Sequence, residues 1–125
     1  MSAPQIVLTG DGPAVVHASD FSQVSASRPA AAGEVLSLFA TGLGPAAGVS
    51  FGQSFPSSPL AAVNSPVTVT VNGKPADVLA AVGYPGAVDG YQVNFRVPPD
   101  VAKGAATIQL SAAWMSSASV SVAVQ

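Results

Sequence analysis

Between Gly90 and Pro98 the residues alternate so regularly that one local structure accommodates them best. Tyr91, Val93, Phe95 and Val97 take one parity, and Gln92, Asn94 and Arg96 take the other. A period of two sends alternate side chains to opposite faces of an extended strand, here one apolar and one polar. Pro98-Pro99 closes the run, because proline offers no ladder donor and restricts the residue before it. Such a strand needs hydrogen-bonding neighbours and a core against its apolar face. The rest of the chain supplies candidates for both.

Ile6-Val7-Leu8 and Ala14 to Ala18 flank a dense turn signal, Thr9 to Pro13, and together predict a first strand broken by a kink. Residues 19–33 predict a loop, since Pro29 and Gly33 bracket too few residues for a helix. Glu34 to Ala40 is almost continuously apolar, as expected of a central strand covered on both faces. Gly, Ser and Pro fill 46–66 around Phe51, Phe55 and Leu60, predicting a long loop pinned down by its own aromatic side chains. Val67, Val69 and Val71 alternate with threonines, and Asn72-Gly73 supplies the positive-φ pair of a tight hairpin leading into Ala76 to Val82. After Lys103-Gly104, Ile108 and Leu110 point inward, and Val120, Val122 and Val124 mark a last strand. The expectation is one all-β domain over residues 1–125, an immunoglobulin-like antiparallel β-sandwich of seven to eight strands.

Composition narrows the partners. Charged residues make up 8% of the 125, and only four are Lys or Arg, too few for the cationic patch that nucleic acid requires. No apolar run reaches the roughly 20 residues that cross a bilayer as a helix, so membrane insertion is not expected. The chain has no cysteine, which removes disulfides, thiol catalysis and cysteine-based zinc sites. A surface of hydroxyls and amides is common in exported β-proteins; Met1-Ser2-Ala3-Pro4 lacks signal-peptide character, so if the parent protein is secreted its signal is expected upstream of this segment.

The order of motifs carries more information than any one of them. Gly33 to Pro45, which includes Ala40-Thr41-Gly42-Leu43-Gly44-Pro45, precedes Val67 to Ala76; Gly83-Tyr84-Pro85-Gly86 and Gly90 to Pro98 follow. In this order they resemble the Solibacter-type C-terminal domain of large secreted Acidobacteria proteins, from about His17 to the end of the chain. Phe95-Arg96 and Met115-Ser116-Ser117 depart from that pattern, the latter where glycine-rich sequence is common. A more distant resemblance is to immunoglobulin-like, plexin and transcription factor (IPT/TIG) modules. What the resemblance implies is a non-catalytic accessory module of a secreted or cell-surface protein, with structural, adhesion or assembly roles. Its implied partners are other domains of the parent protein, or an extracellular protein or glycan.

Gly42 to Gly48 lacks the Lys-Ser/Thr ending of a phosphate loop, and a turn is expected there. His17 is the sole histidine, and no Gly-x-Ser-x-Gly elbow accompanies it; a structural histidine is expected, and no catalytic residue. Asp11, Asp20, Asp89 and Asp100 stand singly in turns, so capping is expected rather than calcium ligation, which needs six to eight oxygens. Lys74 and Lys103 lie beside glycines at turns and are expected to be solvated rather than joined to an asparagine. No metal and no cofactor are expected. The alternative to a structural module is a carbohydrate-binding module with Tyr84 and Trp114 as aromatic platforms and Gln92 and Asn94 as amide partners. Tyr91 has the parity of a core residue. The uncharged stretch Ser117 to Val124 also admits self-association through an edge strand.

Overall fold

A computed structural model describes residues 5–9, 12–41, 63, 67–83, 90–112, 115–117 and 119–125. Their regular structure is all strand: β1 (Gln5–Ile6), β2 (Leu8–Thr9), β3 (Gly12–Pro13), β4 (Val15–His17), β5 (Val35–Thr41), β6 (Val67–Val71), β7 (Lys74–Gly83), β8 (Tyr91–Arg96), β9 (Gly104–Ala112), β10 (Met115–Ser116) and β11 (Val120–Val124). Nine of these form one sheet, ordered β1-β5-β8-β7-β6-β9-β10, with β4 also on β5 and β11 also on β9. Every ladder in it is antiparallel. The all-β expectation holds in that form. The sheet runs continuously through β7, which ladders with β8 on one side and β6 on the other, and it nearly closes on itself where Val24 bonds to β4 and Ala30 to β11.

The kinked first strand takes a specific shape. β1 pairs with Ala40 and Thr41, and β4 pairs with Leu36 to Leu38, so both lie along one edge of β5. Val7 and Ala14 both stay on that edge, Val7 N donating to Phe39 O (2.9 Å) and Ala14 O accepting from Phe39 N (3.0 Å), while β2 and β3 pair with each other beside it, and Ala14 N donates to Val7 O at 2.8 Å. The Asn72-Gly73 turn forms as its residues dictate, with φ of 52° and 82°. It is locked to β9: Asn72 N donates to Thr107 O at 2.8 Å, and Thr107 N donates to Asn72 Oδ1 at 2.9 Å.

Burial follows the predicted parity. Tyr91, Val93 and Phe95 face inward against Leu36, Leu38 and Ala40, and Val97 continues the row. Val69, Val71, Ala106, Ile108, Leu110, Val122 and Val124 complete one apolar cluster from the β6-β9-β11 side. β7 contains a bulge at Leu79, between the pairs Val78–Phe95 and Ala80–Asn94. The extra residue shifts the parity, so Val78 and then Ala81 pack against the core while Leu79 points outward. The long loop expected at 46–66 lies outside the described residues except for Val63, whose amide donates to Ala81 O at 2.9 Å.

Residues 22–30 complete the circuit. On one side His17 N donates to Ser22 O (2.8 Å) and Val24 N to Val15 O (3.0 Å). On the other, Ala30 forms a parallel bridge with Val124: its amide donates to Ala123 O (2.9 Å), and its carbonyl accepts from Gln125 N (2.8 Å). An irregular segment thus spans the gap between β4 and β11.

Candidate functional site

Two groups of polar side chains emerge from these elements. The first lies on the outward face of β5 and β8, where Ser37 is opposite Asn94 and Phe39 opposite Gln92. Asn94 Oδ1 accepts from Ser37 Oγ at 2.6 Å and from Gln92 Nε2 at 3.1 Å. Ser37 is only 1% exposed although its parity is outward, as the reading of β5 as covered on both faces anticipates. Gln92 and Asn94, two of the expected ligand contacts, are therefore brought together. Much of their hydrogen-bonding capacity is spent on one another, while Asn94 Nδ2 and Gln92 Oε1 make no further bond among the described residues. Tyr84 and Trp114, the aromatic half of that expected site, lie outside the described residues. Tyr91 is buried in the core.

The second group centres on His17. Its side chain is 7% exposed and meets an acceptor at each ring nitrogen: Nδ1 bonds to Glu34 Oε2, and Nε2 lies 2.9 Å from the carbonyl of Arg28. Burial works against the imidazolium, but the Glu34 hydrogen bond, the Arg28 carbonyl and the charge of Glu34 outweigh it and raise the pKa above the ordinary value. Glu34 Oε1 also accepts from Ala31 N at 2.9 Å, and Arg28 O from Ser25 N at 3.1 Å. His17 is thus buried and bonded at both ring nitrogens. Its partners could not be read in the sequence, because 11 and 17 residues separate it from them.

The expected aspartate caps resolve into ion pairs and turns. Asp20 Oδ1 accepts from Ser22 N and Oγ, and Oδ2 accepts from Arg28 at 3.1 Å; the Ser22 bonds, with help from Arg28, lower its pKa. Lys74 Nζ donates to Asp100 Oδ2 at 2.5 Å and lowers that carboxyl in the same way. Both pairs are largely exposed and add little to stability. Asp11 and Asp89 lie outside the described residues. Among the described residues no three His, Asp or Glu side chains gather as metal ligands would. A shallow groove of about 350 Å³ lies beside the Lys74–Asp100 pair, lined also by Asp77, Arg96, Pro98 and Pro99. Arg96 donates to Gly33 O at 3.0 Å.

No family model, no curated protein and no solved structure matches the chain.

Proposed function

We propose that the chain is an immunoglobulin-like accessory module of a longer secreted or cell-surface protein, non-catalytic and used for spacing, adhesion or assembly. The observation that supports this reading is strand order. Lettered along the chain, β1 with β4 is A, and β5, β6, β7, β8, β9 and β11 are B to G; their neighbours then run A-B-E-D and onward C-F-G. That is the arrangement of immunoglobulin constant-type sandwiches, with C and D still laddered where such sandwiches usually part into two sheets. Fold alone assigns no activity. The Ser37–Asn94–Gln92 ladder adds that the outward polar groups are bonded largely to one another, as suits a self-contained structural surface. The Solibacter-type resemblance belongs to the same proposal, with other domains of the parent, an extracellular protein or a second copy as partners.

Glycan binding is the second reading, favoured by the Asn94 amide and Gln92 carbonyl left over from that ladder. A glycan array probed with the native protein, Asn94→Ala and Trp114→Ala separates the two. The structural reading expects no saturable signal. Saturable binding to a defined glycan that either substitution abolishes would replace it with the carbohydrate reading.

A further inference from the structure

The geometry points to His17 as a proton-operated latch on residues 22–30, the segment that closes the sheet between β4 and β11. The ring lies at the base of that segment and grips it through the carbonyl of Arg28, two residues before Ala30. Only the imidazolium carries an N–H on each nitrogen, so only the charged form satisfies Glu34 and Arg28 together. A neutral imidazole keeps one. The carboxylate is the stronger acceptor and retains it, which turns the bare Nε2 lone pair toward the Arg28 oxygen. Deprotonation therefore leaves the Glu34 contact in place and loosens the closing segment.

The charged groups facing the ring are Glu34, Arg28 and Asp20. Arginine does not titrate in the relevant range, and Asp20, with its pKa lowered, is ionised throughout it. The step that matters is thus the histidine's own. Because its folded pKa is raised above the ordinary 6.5, the stabilisation is complete below 6.5 and is lost as pH rises through the folded value. The seam is firm in mild acid and loose in mild base.

Amide hydrogen exchange followed by NMR reads this directly, with rates corrected for the intrinsic pH dependence of exchange. The Ala30 and Gln125 amides, which hold the seam, should lose roughly tenfold in protection across the transition, the factor expected when one charge-assisted hydrogen bond is lost. Amides of β8 should keep theirs. His17→Gln should abolish the step, and Glu34→Gln should move it to lower pH, because the charge favouring the imidazolium is gone. If His17→Gln fails to fold, native protein and Glu34→Gln still decide. Protection of Ala30 and Gln125 that ignores pH, a step that survives His17→Gln, or one that Glu34→Gln leaves in place would each overturn the latch.

Discussion

Phe95 is fully buried, with Leu36 opposite it on β5 and Val78 on β7. Truncating it to alanine removes a ring from a site enclosed on both sides, where relaxation is limited. Phe95→Ala should cost about 3–5 kcal/mol, a large share of the roughly 5–15 kcal/mol typical of a domain. Urea denaturation should show this as a lower midpoint at unchanged slope, and a loss under about 1 kcal/mol would mean the ring is not the core element described. Its inward position was legible because period-two alternation assigns a face to every residue of β8. Ser37 teaches the complement: its burial was anticipated from the apolar run around it, but its bond to Asn94, 57 residues away, was not. Alternation states which face a residue occupies and leaves its cross-strand neighbour open.

Among the elements, β7 departs most from what its residues announce. Val78 to Val82 is a continuous apolar run, so no alternation marks the parity shift at Leu79. The hairpin before it was legible because Asn72 and Gly73 are residues that accept positive φ. The bulge has no such requirement and leaves no trace. Its geometry makes an unusual prediction. Deleting Leu79 leaves Val78 paired with Phe95 and Ala80 with Asn94 as a regular ladder, with every later residue of β7 on its present face. The deletion should therefore fold, at a cost no greater than about 2 kcal/mol. Deleting Val93 should abolish the cooperative melt by inverting the rest of β8. Circular dichroism melts of the two proteins test the pair, and equal damage from both would reject the bulge assignment.

For the whole molecule, turn residues and parity marked the longer strands and their inward faces, while the core positions of Val24 and Ala30 and the order in which strands neighbour one another were beyond them. The β5–β8 and β6–β9 ladders join distant stretches and follow from packing of one shared core rather than from any local signal. Residues 22–30 read as loop by composition and are mostly irregular, yet they span the gap in the sheet through Val24 and Ala30. The contact of Ala30 with β11 is parallel, unlike the ladders of the main sheet. That orientation has a mechanical meaning. When the two ends of the chain are pulled apart, antiparallel β1 and β4 can peel from β5 one bond after another. The parallel seam is instead loaded in shear, with its bonds strained together. In a spacer under tension it would be the part that bears load. Ala30→Pro removes the donor to Ala123 O, so single-molecule pulling should find a lower peak unfolding force for that variant. An unchanged force would place the load elsewhere.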